Sequence, residues 1–547
     1  MAHGLGSARA DVGVTPATRR PSAPTPDSTD LTRVSDLVSW FAERTPNAPA
    51  VVLGDDRLNF AQLHQRVDAV ARALLAAGIQ KGDRVATLSP PNPDFWITFL
   101  ASTSIGAIWL GLNPRYRADE LQYLVSDAAP ALLFARTEFG GRRYDDEIAA
   151  MRQAAPSISR VIVLGAHASD AGLEAFAGGF ASGDHAADTT LAERRADCGG
   201  REACLLVYTS GSTGRPKGAL LHHEGIVAFA LGQNRAWPLG AQRFLNYFPI
   251  NHVGCVIDIS IPTLAAGGCI VFMEQFSPDG ALALMQQERV TAWGSVPTVF
   301  QLQLALPDFD RFDLSAVELI IWEGAAMPVE VIHRLRSICP RMASNYGMTE
   351  TTSAITIIRP TDDLDILANT VGEPFEGVEV RLVGADGHEV ALGSPGEVQT
   401  RSIYNLLGYW RRAEATAQAF TADGWFRTGD VAEQRSDGRY RLVGRLSEMY
   451  KSGGYNVYPR EVEDAIQSHP DVLMAAVVAR PDPLWQEVGV AFVVPRVSLT
   501  VLDVEAHCRQ RLANYKIPKQ FVLCDELPLL PIGKVDKVEL RRRASAD

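Results

Sequence analysis

The sequence predicts an α/β protein. It reads as a large N-terminal domain of α/β subdomains, then a small β-rich subdomain, then a small C-terminal α+β unit. Three observations carry this. Helix-like and strand-like hydrophobic periods alternate from about residue 37 to about residue 400, as largely parallel sheets with crossover helices require. From about residue 376 the texture shifts to short alternating runs broken by DG and SPG turns. At 547 residues, the chain also exceeds the size at which a single core keeps growing, so two or more domains are expected.

Residues 1–30 are rich in Ala, Pro, Thr and Ser and lack the apolar segment of a secretory signal, which predicts a disordered leader. LVSWFAERT (37–45) has helical spacing and APAVVLG (48–54) reads as a strand. LNFAQLHQRVDAVARALLAAGI (58–79) carries apolar positions three and four apart, and RVATLS (84–89) reads as a short buried strand. Residues 166–203 are small and polar enough to read as a long surface excursion, which leads into LLVYTSGSTG. Beyond residue 376, GVEVRLV, GEVQTRS and GRYRLVG predict strands. Near the end, EVEDAIQSHP and VLDVEAHCRQRLANY predict helices around the strands MAAVVARP and GVAFVVPR.

Composition narrows the function. With 46% hydrophobic and 21% charged residues the chain is an ordinary globular protein. A formal charge of −12 argues against a sequence-independent grip on nucleic acid, which needs a basic surface. The seven scattered cysteines show no CxxC pair and no metal-ligand spacing, which fits reduced thiols in the cytoplasm. No apolar run reaches about 18 residues, so no membrane span is expected.

The chemistry starts at YTSGSTGRPKGALL (208–221). A P-loop beginning at Gly211 would need Gly at 216 and a hydroxyl at 218, where this chain has Pro216 and Gly218. Pro216 also removes a backbone N–H where a P-loop would aim one at the nucleotide. The run is still a phosphate cradle. Gly211, Gly214 and Gly218 let successive N–H groups converge on an anion, Thr209, Ser210, Ser212 and Thr213 add hydroxyls, and Lys217 adds a compact charge.

YTSGSTGRPKG resembles the signature loop of the adenylate-forming (ANL) superfamily: acyl-CoA synthetases, firefly-type luciferases and the adenylation domains of peptide synthetases. Further segments follow in the family's order: YFPINHVG (247–254), WEGAAMP (322–328), ASNYGMTETT (343–352), GWFRTGD (424–430), YRLVGRLSEMYKSGGYNVYPREVE (440–463) and LPLLPIGKVDK (527–537). The resemblance covers nearly everything after the leader, and its acyl-CoA synthetase branch fits best. It implies an N-terminal domain over 31–445, a hinge at 446–447 and a mobile C-terminal domain over 448–547.

What the resemblance implies for single residues can be set beside their own chemistry. Gly324 and Ala325 belong to the turn that packs on adenine. Asn345, Tyr346, Gly347 and Met348 line the nucleotide, with Tyr346 offering a flat face and Gly347 a close backbone approach. Taken alone, Tyr346 reads more often as a core aromatic. Thr349 and Glu350 suit the α-phosphate and Mg2+ respectively, although the pair also reads as a helix start. Asp430 and Arg445 match the family's ribose contacts, whereas Asp430 by itself would be a turn residue. Lys534 resembles the lysine that bridges the acid's carboxylate and the ATP phosphates, offsetting the repulsion of two anions at the forming bond.

Lys451 matches a lysine tied to thioester formation in some members, and Ser452, Gly453 and Gly454 leave room for a pantetheine arm. The hinge residue is commonly Asp or Lys; Ser447 stands there instead. His252, Val253, Val256, Ser353 and Ala354 match the acid pocket, and their apolar character predicts a fatty, aromatic or alicyclic acid. Asp258, six residues past His252, reads either as a polar contact within that pocket or as a helix residue facing water. The expected reaction is an acid:CoA ligase using ATP, Mg2+ and coenzyme A. An adenylation enzyme loading a carrier protein is the alternative, and the scaffold also serves luciferase-like oxygenases. The partners are small molecules, and a homodimer is left open.

Overall fold

The structure, a computed structural model, describes residues 25–27, 31–165, 172–179, 185–209, 215–530 and 534–545. The predicted leader therefore falls almost wholly outside the described residues, as do Ser210, Gly211, Ser212, Thr213 and Gly214 of the phosphate loop.

Two large sheets build the N-terminal part. In the nine-stranded sheet, six neighbouring strands run parallel: Met342–Tyr346, Leu319–Trp322, Ala292–Ser295, Arg243–Asn246, Cys269–Phe272 and Pro49–Leu53. Antiparallel strands close both ends. The seven-stranded sheet is parallel through Arg160–Gly165, Leu132–Arg136, Arg84–Leu88, Ile108–Leu112 and Ala203–Thr209, with Lys217–His222 added antiparallel. Strands buried on both faces must be apolar nearly throughout: Cys269–Phe272 is wholly so, and Leu132–Arg136 is so up to its last residue, Arg136. One continuous core, including Val51, Phe95, Trp109, Phe229 and Phe244, joins both sheets through helices Phe60–Ala76, Pro93–Ser104 and His223–Ala236. Separate cores cover the outer face of each sheet, giving helix, sheet, helix, sheet, helix layers.

The predicted elements of the first ninety residues appear with shifted ends: Asp36–Arg44, Pro49–Leu53, Phe60–Ala76 and Arg84–Leu88. Asn59 caps the long helix by accepting from the Gln62 N–H at 2.8 Å, so Leu58 belongs to a preceding strand, Asp56–Asn59. The surface excursion needs a larger correction. Its described parts hold helices Gly172–Ala177, tied to Phe60–Ala76 by Arg66–Glu174 at 3.2 Å, and His185–Ala196, tied to it by Arg72–Asp188 and Arg195–Asp68, both 2.7 Å. Low apolar content concealed them: Leu173, Ala177 and Leu191 reach the core, and ion pairs supplement these few apolar contacts.

A four-stranded antiparallel sheet follows: Glu379–Val383, Gly396–Arg401, Phe426–Gln434 and Tyr440–Arg445. The C-terminal part is a five-stranded sheet centred on the long pair Val472–Asp482 and Gln486–Pro495, with helices Pro459–Gln467, Val501–Arg511 and Lys537–Ala544 on its faces. Among the described residues, no helix is long and apolar enough to cross a membrane.

Candidate active site

Open α/β sheets bind ligands at the carboxyl ends of their strands. Here three such ends converge. Arg243–Asn246 runs into the segment bearing His252, Leu319–Trp322 runs into Glu323–Gly324, and Met342–Tyr346 runs into Gly347–Glu350.

The strands that flank the phosphate loop, Ala203–Thr209 and Lys217–His222, lie towards one edge of the other large sheet. Thr209 and Lys217 are direct partners on antiparallel strands, so the loop between them is the connection of a hairpin. A P-loop instead feeds a helix, and the chain path here excludes one. Thr209 Oγ1 donates to Glu350 Oε1 at 3.2 Å, and the Tyr409 hydroxyl donates to the same oxygen at 3.0 Å. Lys217 Nζ stands 5.5 Å from the Tyr409 ring centroid. The loop base, Glu350 and Tyr409 are thus one cluster. Tyr409 was not singled out from the sequence; it sits in a short edge strand, Gly408–Tyr409, outside the recognised motifs.

Among the described residues no three His, Cys, Asp or Glu side chains converge on a metal position. A single carboxylate beside a phosphate cradle suits Mg2+, which keeps water and substrate phosphates as its other ligands. Glu350 fits that description.

After Met342–Tyr346 the chain doubles back. Thr349–Thr351 form one 3₁₀ turn, and Thr352 and Ser353 take φ of +48° and +64°, a left-handed reversal unusual for residues with side chains. The reversal returns the Ser353 carbonyl over Gly347, where a β-carbon would stand 2.2 Å from it. Only glycine fits. Asn345 Nδ2 fastens the same carbonyl at 3.3 Å. Thr349 is buried, while Met348 is half-buried. The Tyr346 ring packs with Ile355, Leu382 and Tyr440, so it is a core aromatic as well as a site residue. Its hydroxyl donates to Asp430 Oδ2 at 2.8 Å. Asp430 also pairs through Oδ1 with Arg445 Nε at 3.0 Å, across neighbouring strands.

Lys534 reaches this cluster from the C-terminal part. The Leu530 N–H donates to the Lys534 carbonyl at 2.7 Å, and Leu529 bridges Val535, so paired backbone fixes the position of the lysine. Its side chain lies against Gly324, a turn residue with φ +83°. Burial, then the Arg445 guanidinium, hold the ammonium below the ordinary lysine value, against the pull of Asp430, Glu323 and Asp258. Ala325 is exposed beside it.

Four of the residues predicted for an acid pocket, His252, Val253, Val256 and Asp258, share one segment. Gly254–Ser260 is π-helical, a form common at functional sites, and carries Val256 and Asp258; Val253 immediately precedes it. Asn246 Nδ2 ties it to the strand end, donating to Cys255 O and Ser260 Oγ at 2.9 Å each. His252 Nδ1 accepts from the Gly254 N–H at 3.0 Å, and burial depresses its pKa to about 3, so the ring is neutral with its proton on Nε2. Val253, Val256 and Ala354 are buried in the central core. Asp258 does not face water: it is buried too, and burial raises its pKa although Ser353, Glu323 and Lys534 oppose the shift. Glu323, which sequence reasoning passed over inside WEGAAMP, is raised well above the usual carboxylate range by burial and then by Asp258.

The remaining predicted residues lie apart. Lys451, Gly453 and Gly454 are exposed on a hairpin of the C-terminal sheet, with Ser452 buried beneath it, and the Lys451 N–H donates to Glu487 at 3.1 Å. None of them meets Lys534, Gly324 or Glu350. Ser447 is an exposed turn residue two positions beyond Arg445. On the far side of the Lys534 loop, Leu529 and Leu530 wall a cavity of about 330 Å3 with Pro90, Tyr247, Phe276 and Leu302.

Comparison with known families agrees with this geometry. The model of the AMP-binding enzymes matches residues 38–410, and that of the AMP-binding enzyme C-terminal domain matches 461–534. The chain belongs to the AMP-binding enzyme family. As an AMP-binding enzyme it is 35% identical over 517 residues to a feruloyl-CoA synthase from an Amycolatopsis species, covering 93% of this chain and 99% of that one. It is 33% identical over 514 residues to an indoleacetate–CoA ligase from Aromatoleum aromaticum, covering 93% and 98%. Among solved structures, ATP-bound MatB from Rhodopseudomonas palustris superposes with a TM-score of 0.82 at 29% identity, covering 93% and 98%.

Proposed function

We propose that this AMP-binding enzyme is an ATP-dependent acid:CoA ligase for a hydrophobic carboxylic acid. In the first half-reaction an acid oxygen attacks the ATP α-phosphorus, the α–β phosphoanhydride bond breaks, and pyrophosphate leaves. In the second, the CoA sulfur attacks the acyl carbon, AMP departs with the carboxylate oxygen, and the thiol proton passes to solvent.

The observation that carries the reading is the position of Lys534, against Gly324, beside the Asp430–Arg445 pair and within reach of the charges of the acid pocket. A cation there offsets the repulsion between carboxylate and phosphate as they close. Asp430 and Arg445 hold the ribose. The loop from Thr209 to Lys217, with Ser210, Gly211, Ser212, Thr213 and Gly214, holds the departing pyrophosphate. Thr349 contacts the α-phosphate, and Asn345, Gly347, Met348, Ala325 and the open edge of Tyr346 flank the adenine. Magnesium supplies charge neutralisation on the phosphates, and Glu350 is the residue that would hold it. Neutral His252, with its Nε2 proton, hydrogen-bonds the acid's carboxylate without adding charge.

CoA as acceptor is supported by the relatives, a feruloyl-CoA synthase and an indoleacetate–CoA ligase, which also favour an acid with an aromatic tail over loading of a carrier protein. We assign 31–445 and 448–547 as the two moving bodies, with the hinge at 446–447. Rotation about Ser447 withdraws Leu529 and Leu530 from the 330 Å3 cavity, opening it to pantetheine, and carries Lys451, Ser452, Gly453 and Gly454 inward. The seven unpaired thiols suit a cytoplasmic enzyme. The test is a panel of fatty, aryl and alicyclic acids incubated with ATP and Mg2+, with and without CoA. AMP formation that depends on CoA and consumes thiol supports the ligase. ADP formation, or sustained AMP release without thiol loss, refutes it.

A further inference from the structure

The acid pocket contains two carboxyl groups that adenylation does not use. Asp258, on the π-helical segment, is 5% exposed, and its Oδ1 has no hydrogen-bond partner among the described residues. Glu323 ends the strand Leu319–Trp322, one residue before Gly324, with its N–H held by Ser295 O at 3.2 Å. Ser353 and Glu323 are the side chains that reach the Asp258 carboxyl, while Lys534 acts on both acids through its charge without forming an ion pair with either.

A structural carboxyl at such a depth is normally satisfied, because an orphaned acceptor forfeits its hydration without return. Two like charges sharing a pocket also cannot both ionise readily, so the pair retains a proton between its oxygens. What remains is acceptor capacity, including one buried oxygen with no hydrogen-bond partner among the described residues. Val253, Val256 and Ala354, buried in the central core, have no polar side-chain atoms to offer it. The complement to this arrangement is a hydrogen-bond donor brought in by the substrate.

We propose that Asp258 and Glu323 together recognise a hydroxyl or amino group on the tail of the acid, near its reacting carboxylate. Preferred substrates are then hydroxy- or amino-substituted apolar acids. The position near the carboxylate follows from Lys534, whose side chain touches Gly324 next to Glu323 and whose charge reaches both acids. An unsubstituted tail would leave that buried oxygen unsatisfied, and a second carboxylate would meet like charge. Sites built to bind a substrate donor discriminate strongly against analogues that lack it. This proposal rests on the acyl-adenylation reading above.

The test is ATP–pyrophosphate exchange with fatty, aryl and arylalkanoic acids, each in unsubstituted, hydroxy, amino and methoxy form. The wild-type enzyme should favour a hydroxy or amino form over its unsubstituted partner by at least about 10-fold in kcat/KM, and the methoxy form should gain nothing. Asp258→Leu should bring that ratio to about one or invert it. Asp258→Asn, which keeps the volume, should lower the ratio in part, and Glu323→Gln should do the same. A wild-type ratio at or below one, or a ratio unchanged in all three variants, overturns the proposal while leaving the ligase intact. Absence of exchange with every acid overturns both.

Discussion

Lys534 lies across the backbone of Gly324: a β-carbon on that glycine would stand 2.9 Å from the lysine Cε and 3.4 Å from Nζ. The contact ties the last motif of the chain to the end of a central strand. Because Gly324 also has φ +83°, Gly324→Ala both strains the turn and displaces the lysine. We expect ATP–pyrophosphate exchange to fall roughly 10- to 100-fold, since small misplacements of a positioned charge are costly. Exchange at the wild-type rate would show that the contact is incidental.

The depressed pKa of Lys534 sets a pH limit. The bridging role proposed for Lys534 needs the ammonium form, so adenylation should fall as pH rises through the folded pKa, which lies below the ordinary lysine value of 10.5. Lys534→Arg keeps its charge at any accessible pH. Residual exchange by this variant should therefore lose the alkaline limb. An identical limb in both proteins would assign it to another group.

Tyr409 donates to Glu350, and its ring lies beside Lys217. Tyr409→Phe keeps the ring and removes one of the two hydrogen bonds that aim the carboxylate. The expected loss is about 1 kcal/mol, or a roughly fivefold rise in KM for Mg-ATP with a smaller change in kcat. Initial rates titrated in Mg-ATP decide this.

Asp94 lies far from the chemistry, but it gives stability a pH dependence. It follows Pro93 at the start of helix Pro93–Ser104, is 5% exposed, and has one oxygen without a hydrogen-bond partner. Burial raises its pKa to about 7, although Arg136 opposes the shift. A carboxyl whose folded pKa exceeds its unfolded value stabilises fully below the unfolded pKa, and that stability drains away as pH rises through the folded one. The window here runs from about 4 to about 7. Relative to the wild type, Asp94→Asn should therefore gain about 3 kcal/mol between pH 5 and pH 8. Tm measured at both values checks the sign, and a constant difference would contradict it.

The sequence made some of this legible and not the rest, for physical reasons. Helix Phe60–Ala76 was visible because one face is apolar at helical spacing, whereas Gly172–Ala177 and His185–Ala196 bury few apolar residues and add ion pairs whose partners lie over a hundred residues away in the chain. Thr349, Glu350, Asp430 and Lys534 could be located because each stands inside a motif with glycine or proline at fixed offsets. Glu323 stood inside such a motif too, yet its meaning depends on Asp258, which arrives from a separate strand end. Tyr409 gave no local signal, since an aromatic in a two-residue edge strand resembles any other. Tyr346 illustrates a shared role: the ring belongs to the core and its hydroxyl to Asp430.

The central claim is that two lysines divide the two half-reactions: Lys534 is at the site, and Lys451 is exposed on a hairpin away from it. The most direct measurement follows both half-reactions in Lys534→Ala and Lys451→Ala, by ATP–pyrophosphate exchange and by thioester formation from preformed acyl-adenylate and CoA. The account predicts that Lys534→Ala loses exchange by 100-fold or more and still makes thioester, because it removes a charge needed only while two anions approach. It predicts that Lys451→Ala retains exchange and is slowed in thioester formation. Equal loss of both half-reactions in both variants would contradict it.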